Sequence, residues 1–427
     1  MDLRSDASTG PAAPGHPTPL CFLPGPTALH PLAVEEARKA FADGFLSRSH
    51  RSPGFRAYMH AMEEGLRSLL RIPVDHRILL VGSATEAMER IIQGVVANRS
   101  AHLVNGAFAR RFRQVAVNLG RKAAAVTVPD GEGFLGDEEG FPEHGQRFPE
   151  HGQGFPEHGQ GFPEHGQRVP KGGEGLRAQQ AGLTPSGVDT LLEGAELLAM
   201  TQNETSTGVR IPTEAVHSLA DRARNSGALA VVDLVTGWPS EPVDPARIDC
   251  GFFSVQKAFG LPAGLGVMVV SPEFVERSRN LEAGGHITGG YMGIPALAEV
   301  ADRHETRATP NMLAIRLLAR VAEAYALEGQ EALDSGVRRR AEAFWSVVEG
   351  LPGLTAAVGP GDNRSRTILV VEVEGGSRPL RERLAERGLL VGDGYGPGKG
   401  RHLRIANFPV QTDEMMDQLL EGLAAEV

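Results

Sequence analysis

The sequence predicts an α/β protein of two domains: a large one with a mostly parallel sheet and helices on both faces, and a smaller α+β domain at the C-terminal end. Short apolar runs alternate with helical spacing from Ile78 to Val270, and such alternation builds parallel sheets covered by helices. A chain of 427 residues is also too long for one ordinary domain. We therefore place the large domain in residues 21–310 and the small domain in residues 311–427.

Two stretches are predicted to lie outside both cores. Residues 1–20 are rich in Pro, Ala, Gly and Ser, which is typical of a disordered tail. Residues 136–181 contain four tandem seven-residue units of the FPEHGQ type, and the Pro and Gly in each unit exclude a continuous helix. We expect a disordered insertion in a surface loop, where extra length costs little. Its histidines could bind a metal loosely, although we favour a solvated insertion and predict no metal site. They are His144, His151, His158 and His165.

Hydrophobic periodicity locates the individual elements. In the large domain it predicts helices at 34–41, 55–70, 86–96 and 213–225, strands at 78–81, 123–128, 196–201, 251–255 and 265–270, and a buried strand ending at Asp233. In the small domain it predicts a long helix ending near Leu327, further helices at 336–350, 378–387 and 412–425, and a strand at 367–375.

Composition indicates a globular protein without a nucleic-acid or membrane partner. Hydrophobic residues make up 41% and charged residues 22%, as in globular domains. A net charge of −10 opposes binding to phosphate backbones, and no apolar run reaches membrane-spanning length. The first residues include Asp2 and Asp6 and lack the apolar segment of a signal peptide. The two cysteines, Cys21 and Cys250, have no metal-type spacing, so we expect a reduced, cytoplasmic setting.

Lys257 stands between two apolar runs, 251–255 and 265–270, that read as buried strands. A lysine at such a place loses hydration, which lowers its pKa and leaves an amine able to attack a carbonyl. A single lysine at a strand end more often extends its amine to solvent. The residues that accompany Lys257 therefore decide between the two interpretations.

Several polar residues follow apolar runs and should meet at one edge of the sheet, because binding sites in parallel sheets lie at the carboxyl ends of the strands. They are Gly82, Asn203, Asp233 and Gln256. Around Gly82, Ser83 and Thr85 the pattern is strand, turn and helix, which presents a helix N-terminus to a phosphate. An ordinary helix cap has the same pattern, so this turn alone does not identify a ligand.

Four segments, NGAF, QNETSTG, VVD and SVQKAFGLPAG, occur in an order similar to that of fold-type-I pyridoxal-phosphate enzymes of the class V aminotransferase group. SRSHRSPGF, QNETSTGV and QKAFGLPAGL most resemble phosphoserine aminotransferases. The similarity covers roughly residues 20–135 and 182–425. It implies the fold-type-I architecture and pyridoxal 5′-phosphate as the cofactor.

The resemblance assigns a role to each residue of the predicted cofactor site. Lys257 would hold the cofactor as a Schiff base and move the α-proton of the substrate, and Asp233 would keep the pyridine nitrogen protonated. Thr205 would bind the phenolic oxygen, and Phe108 would stack on the ring. The predicted phosphate contacts are Gly82, Ser83, Ala84, Thr85, Gln256 and, reaching the phosphate of the partner subunit, Thr309. The alternative roles are a strand-end cap for Asp233, a core residue for Phe108 and a helix cap for Thr309.

The resemblance also implies how the substrate is held. His50 and Arg51 would grip a substrate phosphate, a task suited to a guanidinium beside an imidazole, and Arg404 would pair with the α-carboxylate. Many family members carry a His-Arg pair shortly before that arginine. Here the segment is GYGPGKGRH, which offers only Lys399, Arg401 and His402, and Ala308 replaces the family asparagine before Thr309.

The first interpretation is transamination between O-phospho-L-serine and 2-oxoglutarate by a homodimer with shared active sites, expected to be C2-symmetric. The alternative is a related transaminase acting on alanine or serine with glyoxylate. A cysteine desulfurase is disfavoured because Gln256 precedes Lys257 and Cys250 lies in a predicted buried strand. A catalytically silent scaffold is disfavoured because Lys257 and Asp233 are both present.

Overall fold

The computed structural model describes residues 19–134 and 185–427 of the chain. The predicted insertion at 136–181, with its four histidines, and residues 1–18 of the predicted tail lie outside the described residues. The first described strand begins at Leu20, which is the last residue of the predicted tail.

The described residues form the following strands and helices. The strands are β1 Leu20–Phe22, β2 Arg77–Val81, β3 Arg99–Val104, β4 Lys122–Thr127, β5 Leu197–Thr201, β6 Asn203–Glu204, β7 Val209–Arg210, β8 Leu229–Asp233, β9 Cys250–Ser254, β10 Gly266–Val270, β11 Leu354–Ala356, β12 Ile368–Val373, β13 Leu389–Asp393 and β14 His402–Ala406. The helices are α1 Pro31–Ala42, α2 Pro53–Leu70, α3 Ala84–Val95, α4 Ala107–Asn118, α5 Pro185–Leu192, α6 Thr213–Asn225, α7 Pro272–Ala283, α8 Ile294–Ala301, α9 Met312–Glu328, α10 Gln330–Val348, α11 Ser377–Glu386 and α12 Asp413–Glu426.

The large sheet has the strand order β2-β10-β9-β8-β5-β3-β4. Its neighbouring strands are parallel from β9 to β4, whereas β10 runs antiparallel to both β9 and β2. Strands β2, β3, β5, β8 and β9 therefore point the same way and end at one edge. The predicted mostly parallel sheet is confirmed, and its carboxyl edge collects the residues that follow each strand.

Helices cover both faces of this sheet, as predicted. One face packs against α3, α4, α7 and α8 in a core that includes Ile91, Phe112, Phe252 and Phe274. The other face packs against α1, α2, α6 and α9 in a core that includes Phe55, Leu66, Val232 and Phe253. Burial on both faces explains why the sheet strands read as continuous apolar runs rather than as alternating patterns.

The small sheet has the order β1-β13-β14-β12-β11 and packs against α10, α11 and α12. Strand β1 comes from the start of the chain and pairs in parallel with β13, Leu20 opposite Leu389. Residues 20–22, which the sequence placed in the tail and the large domain, thus belong to the small sheet. Three apolar residues carry no information about a partner so distant in sequence, so this pairing could not be predicted.

Helix α9 packs in the large domain, although it follows residue 310, the predicted end of that domain. Its buried residues, among them Ile315, Leu318 and Ala322, lie in the core of the large domain with Leu66 of α2. The core of the small domain receives its first helical residues from α10, beginning with Ala341 and Phe344. Helical periodicity located α9 along the chain, but it does not indicate which sheet a helix packs against.

Along the described parts of the chain, no helix combines the length and apolar character needed to cross a bilayer.

Candidate active site

Lys257 lies at the carboxyl edge of the large sheet, in the turn after β9. Its Nζ donates a hydrogen bond to the carbonyl oxygen of Pro24 at 2.7 Å. Burial, reinforced by the positive charge of Arg404, lowers the pKa of the Lys257 amine to about 8, although Asp233 opposes the shift. An amine with such a pKa exchanges its proton readily near neutral pH, as a nucleophile and proton carrier must.

The chain passes very close to this amine at Gly25. A Cβ atom at Gly25 would overlap the Lys257 side chain, and Gly25 has φ +144°, a conformation that residues with a side chain rarely adopt. Only glycine therefore allows the segment after β1 to present the Pro24 carbonyl to the lysine.

Asp233 ends β8 and is only 4% exposed. One carboxyl oxygen accepts a hydrogen bond from the backbone N–H of Val235 at 3.0 Å. Burial is the main cause that raises the pKa of Asp233 to about 7, and the negative charge of Glu204 adds to it while Lys257 opposes it. A buried carboxyl group with so few partners is suited to balance a cation placed next to it.

A buried network of hydroxyl and amide groups holds Thr205 at the same edge of the sheet as Lys257 and Asp233. Asn203 Nδ2 donates to Thr236 Oγ1 at 2.8 Å and to Thr367 Oγ1 at 3.0 Å, and Thr205 Oγ1 lies 3.2 Å from Thr236 Oγ1. Thr367 Oγ1 donates to the carbonyl of Thr236 at 2.6 Å, so a residue at the start of the small sheet supports the network. Thr236 and Thr367 were not singled out from the sequence, because neither stands in a recognisable motif.

Glu204 connects the segment of Thr205 to the helix that carries Phe108. Its buried carboxylate accepts hydrogen bonds from the N–H groups of Phe108 and Ala109, each at 3.0 Å, and from the Ser206 hydroxyl at 2.6 Å. Helix α4 starts after Gly106, which has no side chain to cap it. Glu204 therefore supplies the missing cap, a negative charge at the positive end of the helix. The sequence interpretation missed this residue, although a helix preceded by glycine requires a cap from elsewhere.

Replacing Glu204 with alanine is expected to lower the free energy of unfolding by about 2–4 kcal/mol, since it leaves several buried N–H groups without an acceptor. Urea denaturation of the cofactor-free protein measures the change. Ser206→Ala is the graded comparison, because the Ser206 hydroxyl donates to the carboxylate and accepts only one N–H of this helix end, that of Ala107. It should cost less, about 1–2 kcal/mol. Equal midpoints for the wild type and Glu204→Ala would contradict the capping role.

Phe108, the predicted stacking residue, is partly buried at the first turn of α4. Its ring stacks on Tyr395 with a centroid distance of 5.3 Å and an interplanar angle of 22°. The guanidinium of Arg111 lies 5.3 Å from the Phe108 centroid and donates to the Tyr395 hydroxyl at 2.9 Å. One face of Phe108 is thus covered by Tyr395, which the sequence interpretation did not select.

Arg404 on β14 reaches the same edge. Its Nε donates to the carbonyl of Asp393 at 2.7 Å and its Nη1 to the carbonyl of Thr205 at 3.2 Å. Burial lowers the pKa of this arginine. A partly buried guanidinium that donates to neutral carbonyls, and that has no carboxylate within ion-pair distance among the described residues, is suited to bind a carboxylate.

The predicted phosphate turn lies at the N-terminus of α3. Ser83 Oγ accepts from Glu86 N at 3.1 Å, and the Glu86 carboxylate accepts from Gly82 N at 2.8 Å. The N–H of Ala84 donates to Ser254 Oγ at 2.8 Å, while Thr85 is exposed. These local bonds are those of a helix cap, so a phosphate-binding role for the turn stays a prediction.

The remaining predicted contacts with cofactor and substrate lie in different surroundings. Gln256 adjoins Lys257, and its side-chain Oε1 is buried without a hydrogen-bond partner among the described residues. His50 Nδ1 and Thr309 Oγ1 lie 3.3 Å apart, so a predicted substrate residue meets the residue predicted to reach the partner subunit. Arg51, which follows His50 in sequence, is exposed.

The basic residues before Arg404 point to different surroundings. Lys399 is exposed, and Arg401 forms an ion pair with Glu372 at 2.6 Å, which lowers the pKa of that glutamate. His402 is partly buried, and this burial lowers its pKa.

Cys250 is fully buried and has a pKa raised well above that of a free thiol, which opposes a nucleophilic role. Within residues 19–134 and 185–427, no three His, Cys, Asp or Glu side chains gather as a metal site would require.

Known proteins resemble this chain in sequence and in structure. The family model described as aminotransferase class-V matches residues 178–396. A phosphoserine aminotransferase from Cytophaga hutchinsonii has a similar structure, with a TM-score of 0.80, 30% identity and coverage of 96% of this chain and 99% of that chain. An alanine–glyoxylate aminotransferase from Nostoc sp. has a TM-score of 0.73, 22% identity and coverage of 100% and 99%. A phosphoserine aminotransferase from Rhodococcus jostii is 22% identical over 93% of this chain and 92% of its own length.

The family model and these relatives show that the protein is a pyridoxal-phosphate-dependent transaminase. The chain belongs to the class V aminotransferase family.

The described residues fit this cofactor. Asp233 offers a buried carboxyl group for a pyridinium cation, and Lys257 offers an amine with a lowered pKa. Among the described residues, the buried Oδ1 of Asn203 and Oε1 of Gln256 lack hydrogen-bond partners, as expected of a polar site built for a ligand.

Proposed function

We propose that this transaminase moves the amino group of O-phospho-L-serine to 2-oxoglutarate. The observation that carries the proposal is the partly buried guanidinium of Arg404, which donates to the carbonyl oxygens of Asp393 and Thr205 and lies close enough to Lys257 to lower the pKa of its amine. An amino acid whose α-carboxylate pairs with Arg404 brings its amino group to the lysine. Relatives and a structural neighbour named phosphoserine aminotransferase support the choice of donor.

The residues divide the chemistry among them. Bound pyridoxal phosphate supplies a ring that accepts the electrons released at the α-carbon. Lys257 removes and returns the proton at that carbon, since its pKa of about 8 balances both directions near neutral pH. Asp233 would balance a positive charge on the bound ring, and Arg404 would hold the α-carboxylate of the substrate. Glu204 and the network around Asn203 keep Phe108 and Thr205 in place.

The proposal includes a cytoplasmic homodimer. His50 and Thr309 meet although they are distant in sequence. The two side chains would then belong to one surface, and the active site of a second copy of the chain would lie against that surface. His50 and Arg51 would then bind the substrate phosphate, and Thr309 the cofactor phosphate, in the site of the other subunit.

The alternative donor is alanine or serine with glyoxylate as acceptor. It is supported by the alanine–glyoxylate aminotransferase from Nostoc sp., whose fold this chain shares. It is also supported by Arg401, which is engaged by Glu372 rather than free for a substrate phosphate. In this case Arg404 keeps its role and Arg51 has a different one.

Titration of the cofactor-loaded protein distinguishes the donors. O-phospho-L-serine is expected to abolish the visible absorbance of the bound cofactor, with a kcat/KM about 10²-fold or more above that of L-alanine, because a charge-assisted phosphate contact is worth several kcal/mol. Addition of 2-oxoglutarate should restore the absorbance. Bleaching by L-alanine alone would contradict phosphoserine as the donor.

A further inference from the structure

We propose that Arg111 and Tyr395 form a second anion-binding position that holds the distal acidic group of the substrate. This inference rests on the proposed function and deepens it. The site would select amino acids and oxo acids that are anionic at both ends, a class that includes O-phospho-L-serine and 2-oxoglutarate.

Arg111 lies one turn after Phe108 on α4, and its side chain is exposed. Residues three apart lie on the same face of a helix, so Arg111 shares the face of Phe108. The contact confirms it, since the Arg111 guanidinium lies 5.3 Å from the centroid of the Phe108 ring. A cation so placed lies beside the aromatic ring that is predicted to stack on the cofactor.

The neighbouring arginines of α4 are already engaged. Arg110 forms two hydrogen bonds with the Asp130 carboxylate, at 3.0 and 3.3 Å, and Arg113 donates to the carbonyl of Ala123 at 3.0 Å. Among the described residues, Arg111 has no carboxylate within ion-pair distance, and its hydrogen bond goes to the neutral Tyr395 hydroxyl at 2.9 Å. Most of its donors are therefore free for an anion.

Tyr395 lies between two guanidinium groups. Its hydroxyl accepts from Arg111, and its ring centroid is 5.5 Å from the guanidinium carbon of Arg404. A phenol that accepts from an arginine keeps its own proton to donate to an anion. A substrate whose α-carboxylate pairs with Arg404 thus finds, across one tyrosine ring, a second cation and a hydroxyl donor.

The segment that carries Tyr395 is held by its own hydrogen bonds. Asp393 Oδ1 accepts from the backbone N–H groups of Gly394 at 2.9 Å and Gly400 at 3.0 Å, and Asp393 Oδ2 pairs with Arg381 at 3.0 Å. These bonds close the loop at both ends and leave Tyr395 36% exposed. This loop is where the sequence departs from the family His-Arg pair, so Arg111 supplies a cation from α4 instead.

Isothermal titration of the cofactor-loaded enzyme with two unreactive ligands tests the position. Glutarate has two carboxylates and pentanoate has one on a chain of equal length. In Arg111→Gln the Kd of glutarate is expected to rise about 10- to 100-fold while that of pentanoate changes less than about twofold, since a charge-assisted hydrogen bond is lost only with the dianion. Tyr395→Phe should raise the glutarate Kd by a smaller factor.

Arg110→Gln is the matched control, because it removes the same charge from the next residue of α4. It should bind both ligands as the wild type does. An unchanged glutarate Kd in Arg111→Gln, or an equal loss for both ligands, overturns the proposal. Arg111→Lys, which keeps the charge and the helix, provides a second reading: it must retain part of the preference for glutarate. The wild-type preference between phosphoserine and alanine is measured separately, so failure of the proposed donor leaves the glutarate-to-pentanoate ratio as an independent result.

Discussion

Replacing Lys257 with alanine is expected to lower kcat by at least about 10²- to 10⁴-fold, the contribution of a positioned general base alone. The loss should be larger than that of any other single change, because the same amine is predicted to hold the cofactor. Borohydride reduction followed by peptide mass spectrometry should find the cofactor attached to Lys257 in the wild type, and no such peptide in the variant.

Lys122→Ala is the matched control, since Lys122 is an exposed lysine on β4. It should retain wild-type kcat and the same modified peptide. A Lys257→Ala variant with near wild-type turnover, or a cofactor attached to a different lysine, would exclude Lys257 from its predicted role.

Replacing Asp233 with asparagine is expected to have opposite effects on activity and on stability. The folded-state pKa of Asp233 is about 7, above its ordinary value of 3.8. Between these values the folded protein keeps a proton that the unfolded chain has lost, so its stability falls as pH rises toward 7. Asparagine removes this titration, and the cofactor-free variant should be more stable than the wild type by about 1–3 kcal/mol at pH 8, after the cost of the buried amide.

The same substitution should lower kcat by about 10²-fold or more, because an amide cannot balance a positive charge on the cofactor ring. Urea unfolding of the cofactor-free protein at pH 5 and pH 8 measures the stability, and steady-state kinetics measures the activity. Asp249→Asn is an instructive control, as Asp249 is also buried with a raised pKa but accepts hydrogen bonds from Ala230 N and Ser271 Oγ. It should lower stability without removing catalysis. Equal pH dependence in wild type and Asp233→Asn would refute the argument.

The fold class, the cofactor and the family could be predicted because their determinants are local or ordered along the chain. Apolar runs separated by helical periodicity give a parallel sheet, and parallel strands bring Asp233 and Lys257 to one edge. Helix α6 was predicted at its observed bounds, Thr213–Asn225. These features require only spacing, which a single sequence contains.

The features that could not be predicted depend on contacts between distant segments. Glu204 caps a helix whose Phe108 lies 96 residues earlier in sequence, and its letter within QNETSTG does not reveal that it is buried. Tyr395 meets Phe108 and Arg111 only because the two domains pack together. Such side chains have no periodicity of their own, so tertiary structure is needed to find them.

Strand β1 makes the order of folding matter for this enzyme. Leu20 is among the first described residues, yet its partner Leu389 lies near the end of the chain. During synthesis the first strand emerges long before β13 exists, and closing so long a loop is slow. Pro24 and Gly25 follow that strand directly, so the pairing of β1 with the small sheet helps to hold them beside Lys257. The surroundings of the reactive amine thus include a segment anchored by a strand pairing that a partly synthesised chain cannot yet make.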